Sequence, residues 1–76
     1  MKRIYAVGIS AKVGVPGAVR ISLSSLSLLA RSVPEAAGFA LEEARKRWPV
    51  ESGWYEHLAH ATEVPDELIE VVCKQT

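Results

Sequence analysis

The stretch SVPEAAGFALEEARKRW, residues 32–48, predicts the element around which this chain is organised. Ser32 suits the N-cap of a helix, and Glu35 follows three residues later, at the spacing of a capping box. Pro34 falls in the first turn, where its missing N–H costs nothing. Pro49 ends the segment, because the residue before a proline is disfavoured in helical geometry. We therefore expect one helix over residues 32–48.

One face of this helix carries mostly small apolar side chains, which would let it lie close to a sheet. On a helical wheel the face contains Val33, Ala36, Ala37, Ala40, Leu41, Ala44 and Trp48. Phe39 lies on the opposite side, among charged residues. It is either an ordinary surface residue or a contact to a second subunit or partner. The basic triplet at residues 45–47 suits the negative end of the helix dipole better than an anion site.

The first strand is predicted over residues 2–13, because apolar side chains occupy alternate positions from Tyr5 to Val13. The other face of this strand is small. Gly8 on that face either lets a backbone or ligand come close or simply marks a bulge, and the bulge is the more ordinary reading.

A turn at residues 14–17 contains a Pro-Gly pair that suits the centre of a type II turn. Residues 18–30 then predict a second strand, in which serines and apolar residues alternate. The phase slips by one residue at Ser24 and Ser25. A slip of this kind indicates either a β-bulge or a break followed by a short separate element.

Residues 54–64 predict a third strand, since Gly53 precedes it, aromatic residues open it and Pro65 follows it. Several of its residues also tolerate a helix. Residues 66–73 suit a short helical turn or a fourth strand, and we favour the turn. The predicted fold is a single α+β domain over residues 1–76, in the order β-β-α-β. It has a small antiparallel sheet of three to four strands with the main helix packed on one face.

Size and charge limit the classes of function. A chain of 76 residues buries only a small core, so a homo-oligomer is an economical route to stability. The net charge is zero, which does not favour nucleic-acid binding. We find no signal peptide and no run long enough to span a membrane. The single Cys73 has no partner for an internal disulfide, and we expect a cytoplasmic location.

The two histidines are the residues most suggestive of chemistry. His57 and His60 would share one face of a helix, but on the predicted strand they point to opposite faces. A zinc site needs three or four ligands, and the spacing to Cys73 and the neighbouring glutamates matches no metal motif. No phosphate loop, nucleophile elbow or paired-carboxylate pattern is present. We therefore expect no metal, no cofactor, no catalytic residue and no enzymatic activity.

Two sets of residues are the candidate binding sites. Contacts to a partner or a second subunit are predicted at Phe39, Trp54 and Tyr55, and at the exposed edges of the strands. Binding of a nucleotide-like small ligand is predicted at Arg20, Arg47, His57 and His60, because arginine and histidine beside aromatic rings can stack on a base and bond to it. For the two tryptophans around the loop, the simpler interpretation is that they cap a small core.

The stretches ARSVPEAAGFALEEARKRWP and GWYEHLAHATEVP resemble the helix-to-strand unit of small β-β-α-β proteins encoded by phages and mobile elements. The resemblance covers most of the chain at the level of its general pattern, and it transfers no site residue. Such proteins include anti-CRISPRs and other counter-defence proteins, which act by binding. The resemblance thus implies an inhibitor or a sequestering protein and identifies no target.

Three functions follow from these observations. The first is a small non-enzymatic binding protein, encoded by a phage, which inhibits or recruits a host protein through protein–protein contacts. The second is an oligomeric sponge that sequesters a nucleotide-like ligand. The third is a small metal-binding or hydrolytic protein that uses His57, His60 and Cys73. We favour the first.

Overall fold

The computed structural model describes residues 1–68 and confirms the α+β prediction. Three antiparallel strands form one sheet in the order β2-β1-β3, and one helix covers one face. The elements are β1 (Arg3–Val13), β2 (Ile21–Ala30), α1 (Val33–Arg47) and β3 (Trp54–Glu63), with short 3-10 turns at Val50–Ser52 and Asp66–Leu68. We call the covered face the helix side and the other the open face.

The ends of α1 lie where the sequence predicts them. The Ser32 side chain accepts a hydrogen bond from the Glu35 N–H at 3.3 Å. At the other end the Trp48 N–H donates to the Ala44 carbonyl at 2.8 Å, and Pro49 follows in extended geometry. The local signals for this helix were therefore sufficient to set its length.

The hairpin between β1 and β2 also follows its sequence. The Ala18 N–H donates to the Val15 carbonyl at 3.2 Å across the Pro-Gly pair, and Gly17 has φ +80°. This left-handed conformation suits glycine and defines the predicted type II turn. The turn makes β1 and β2 neighbours, and β1 lies in the middle of the sheet because β3 pairs with its other side.

The slip in the pattern of β2 is a bulge. Ser24 lies opposite Ile9 and Ser22 lies opposite Ser10, so Leu23 is the extra residue. The strand continues through the bulge, and the alternative of two separate elements is wrong. A second bulge lies at nearly the same level in β3, where two residues, Glu56 and His57, face Ala11 alone.

The core between the sheet and α1 is built from small side chains. Ala36, Ala40 and Ala44 of the helix are buried, as the wheel predicts, although Val33 is 46 % exposed. The largest fully buried side chains are Ile9 and Val7 of β1. The helix lies closer to β3 than to β2, because the facing residues of β3 are alanines whereas those of β2 are mostly leucines.

The C-terminal prediction is tested only in part. Asp66–Leu68 forms a 3-10 turn. The rest of the predicted turn or fourth strand, at residues 69–73, lies outside the described residues. No helix within residues 1–68 is long and apolar enough to cross a membrane.

Candidate functional site: the two edges of the sheet

The sheet has two outer strands, and the outer sides of β2 and β3 are here called the β2 edge and the β3 edge. Each outer strand is ten residues long. At an unpaired edge, every second residue directs its N–H and C=O away from the sheet, where another strand can bind them. Natural proteins block such edges with charges, prolines, bulges or covering elements. The two edges of this sheet differ in how far they are blocked.

The β2 edge carries almost no such protection. Its sequence, ISLSSLSLLA, has no charged residue and no proline, and its one irregularity is the bulge at Leu23. The charges nearest in sequence are Arg20 and Arg31, just outside the strand. Within the part of the chain that the structure describes, no side-chain hydrogen bond or ion pair involves any residue of β2. The stretch from Ser24 to Ala30 is therefore a regular, uncharged edge.

The same strand carries apolar side chains that the fold leaves incompletely covered. All seven leucines of the sequence lie within residues 1–68, and none of them is buried. Four of them are on β2. Leu23, Leu26 and Leu28 are half-buried on the helix side, and Leu29 is 59 % exposed on the open face. Leucine is among the residues most often buried in folded proteins, so this strand is an unusual concentration of exposed apolar surface.

Strand β3, at the other edge, is fastened to the rest of the chain by side-chain hydrogen bonds and an ion pair. At its start the Tyr55 hydroxyl donates to the Val15 carbonyl at 2.7 Å and accepts from the Ala18 N–H at 3.3 Å. These two bonds fasten the strand to the β1–β2 turn. The predicted contact residue Tyr55 thus makes its described hydrogen bonds inside the chain.

The bulge of β3 is a small polar cluster. Glu56 has φ +51°, a left-handed conformation that is strained for this residue. Its carboxylate lies 2.8 Å from Lys12 Nζ, and the Lys12 ammonium, by hydrogen bond and by charge, lowers the pKa of Glu56. Its carbonyl accepts a 2.8 Å bond from Arg20, which also reaches Ser10 Oγ at 3.2 Å. The bulge is therefore fixed by Lys12 of β1 and by Arg20, which immediately precedes β2.

A third group ties β3 to the end of the helix. His57 Nε2 lies 2.6 Å from the Trp48 carbonyl and donates to it, which satisfies one of the free carbonyls at the helix C-terminus. Trp48 and Trp54 meet edge to face, with ring centroids 6.5 Å apart. Trp48 packs against the core, and Trp54 and His57 are half-buried beside it.

The predicted ligand-binding residues do not converge on one place. Arg20 and His60 lie on the open face, where His60 is exposed opposite Gly8. His57 lies on the helix side, and Arg47 pairs with Glu43 on α1 at 3.3 Å. Within residues 1–68 no three His, Cys, Asp or Glu side chains are grouped to hold a metal ion, and Cys73 lies outside that range.

Phe39 remains where the helical wheel predicts it. It lies on the outer surface of α1 and is 49 % exposed. For the β2 edge, by contrast, the sequence predicts contacts only in general terms, at exposed strand edges, and it singles out no residue of β2. The signal was present in the sequence as ten consecutive residues with four leucines and no charge. It was obscured because the alternating serines are also typical of an ordinary solvent-facing strand.

No family model matches this sequence, and no curated protein or solved structure matches it.

Proposed function

We propose that this protein is a small non-enzymatic binding protein, an inhibitor or interaction module that acts through protein–protein contacts. The single observation that carries the proposal is the incomplete burial of apolar side chains, with none of the seven leucines buried in the fold. Apolar residues concentrated on one exposed element are typical of a protein-binding surface. The resemblance to small proteins of phages and mobile elements supports the same class of function.

Phe39 is the residue that we propose contacts the target. It is a half-exposed aromatic side chain on the helix surface that faces away from the sheet, so the fold gains little from its presence. Aromatic residues dominate the binding energy of many interfaces, because they bury a large area at a low cost in entropy. We further propose a cytoplasmic location, since a single cysteine suits a reducing compartment.

The alternative is an oligomeric sponge for a nucleotide-like ligand. It requires arginine and histidine side chains that converge on one ligand. Arg20 and His60 share the open face, whereas Arg47 and His57 do not, and Arg20 is already bonded to Glu56 and Ser10. This separation within one chain favours the protein-binding proposal over the sponge.

The proposal is tested by capture from a lysate of the host. Immobilised wild-type protein is compared with Phe39→Ala and with Lys46→Ala, which alters another exposed position of the same helix. We expect a specific protein to be enriched by the wild type and by Lys46→Ala, and enriched about tenfold less by Phe39→Ala if Phe39 is a hot spot worth roughly 1.4 kcal/mol. Enrichment of no protein above blank resin would count against the proposed function.

A further inference from the structure

We propose that the β2 edge pairs with the β2 edge of a second copy of this chain. The two strands would run antiparallel about a two-fold axis at Ser27 and join the two three-stranded sheets into one of six strands. This pairing deepens the proposed function and rests on it, because both treat the exposed leucines as a protein-binding surface. It identifies the chain itself as the first partner of that surface.

The backbone of β2 meets the requirement for strand addition. Main-chain N–H and C=O groups along the outer side supply the hydrogen bonds of such a pairing. The regular stretch from Ser24 to Ala30 offers seven residues without a bulge, a charge or a proline. The register that uses this whole stretch in both copies places Ser27 opposite Ser27 and Ser24 opposite Ala30.

The side chains in this register are self-complementary. On the helix side, Leu26 of each copy lies opposite Leu28 of the other. On the open face, Ser27 meets its own counterpart and Ser25 lies opposite Leu29. Directly opposite residues interact most strongly across an antiparallel pair, so the leucines that the monomer leaves half-buried would cover one another. Arg20 and Arg31 lie outside the paired stretch, and no like charges oppose each other within it.

The helix leaves room for this arrangement. A two-fold axis perpendicular to the sheet puts both helices on the same face. Because α1 lies closer to β3 than to β2, the two helices would stand apart above the joined strands. The leucines of both copies then form one apolar strip between the helices. The β2 edge is therefore accessible, because α1, which could otherwise block it, lies nearer to β3.

The small core of the monomer gives this pairing a thermodynamic reason. Six of the ten buried apolar residues are alanines, which contribute little apolar area each. Chains of this size often depend on association for stability. A strand pair with a leucine strip is smaller than a standard interface of about 800 Å² per partner, so we expect a dissociation constant in the micromolar range.

A charge swap at the two-fold axis tests the pairing and its register together. In Ser27→Lys, two lysines face each other, and in Ser27→Glu, two glutamates do. Analytical ultracentrifugation at low salt should show a dimer for the wild type. Each variant alone should raise its dissociation constant about fivefold, because like charges directly opposite destabilise a strand pair. An equal mixture of the two variants should restore the dimer, since lysine then faces glutamate.

The matched control is Thr62→Lys on β3, an exposed position on the same face, which should leave the dimer unchanged. Circular dichroism confirms that each variant is folded. If a Ser27 variant fails to fold, Ser27→Cys in a Cys73→Ser background replaces it and should form an intermolecular disulfide, whereas Thr62→Cys should not. The proposal is overturned by a wild type that stays monomeric at about 100 µM, tenfold or more above the expected dissociation constant. It is also overturned by a dimer that the Ser27 charges do not weaken, or by the absence of the disulfide.

The two proposals fail separately. A dimer that captures no host protein retains the β2 pairing and removes the target-binding function. A monomer whose capture of a host protein depends on Phe39 retains the target-binding function and removes the β2 pairing.

Discussion

Strands β2 and β3 are equally long and both lie at an edge of the sheet, yet their surroundings differ. β3 is tied to the turn by Tyr55, to β1 by the Glu56 cluster and to the helix end by His57. Its alanines also lie under the helix. β2 has leucines in place of alanines and no side-chain hydrogen bond in the described part of the chain.

This difference leaves one edge of the sheet open to the addition of another strand and protects the other edge. Strand β3 has charges, a bulge and side-chain hydrogen bonds, all of which discourage the addition of another strand. Strand β2 keeps its outer backbone regular from Ser24 to Ala30, and its leucines on the helix side are only half-buried. Because the helix approaches β3 closely, it withdraws from β2. The tight packing of α1 against β3 is thus the physical reason why the β2 edge stays open.

The largest effect is expected where the helix approaches β3. Ala40 is 1 % exposed, so Ala40→Leu adds volume to a filled space and pushes the helix away from the sheet. Overpacking of this kind costs about 1–3 kcal/mol. Urea unfolding at one fixed protein concentration measures the change. Glu42→Leu, the same side chain at an exposed position, should stay within about 0.5 kcal/mol of the wild type. Equal stability of both variants would mean that close helix packing does not distinguish the two edges.

A smaller effect is expected at the Tyr55 hydroxyl. Tyr55→Phe removes the bonds to Val15 and Ala18 and should lower the free energy of unfolding by about 0.5–1.5 kcal/mol. Tyr5→Phe is the control, because no hydrogen bond of the Tyr5 hydroxyl is present among residues 1–68. Thermal unfolding of both variants provides the comparison. If Tyr5→Phe is the more destabilising of the two, the hydroxyl of Tyr55 does not fasten β3 to the turn.

The smallest effect concerns pH. Lys12 lowers the pKa of Glu56 below its ordinary value of 4.5. The ionised carboxylate therefore stabilises the fold above the unfolded pKa, and this contribution is lost as the pH falls through the folded pKa. Glu56→Gln should flatten the decline in stability below pH 4.5, which urea unfolding across that range measures. Glu51→Gln, at another exposed carboxylate, is the control. Identical profiles for the wild type and Glu56→Gln would show that the Lys12 pair does not stabilise the bulge.

The sequence predicts the elements of this fold well because their signals are local. The cap at Ser32, the stop at Pro49 and the turn at Pro16-Gly17 each act within a few residues, and each is confirmed. The slip near Ser24 is visible for the same reason. The opposite faces of His57 and His60 follow directly from the period of a strand.

The distinction between the edges could not be predicted in the same way, because it depends on which strand lies in the middle. Nothing in the period of β1 or β2 says which of them pairs with β3. The left-handed Glu56 gives no warning either, since glutamate rarely adopts that conformation. The carbonyl that Tyr55 binds, at Val15, and the carbonyl that Arg20 binds, at Glu56, are 40 and 36 residues away in sequence, so these contacts appear only after folding. Long-range pairing therefore decides which residues are available for binding.

We propose that β2 is the edge that binds a second copy of the chain and that β3 is not. Hydrogen–deuterium exchange measured by mass spectrometry at two protein concentrations, one below and one above the dissociation constant, tests it most directly. We expect exchange in peptides covering 21–30 to slow at the higher concentration, while exchange in 54–63 stays unchanged. Slowing confined to 54–63, or no dependence on concentration in either strand, would contradict the claim.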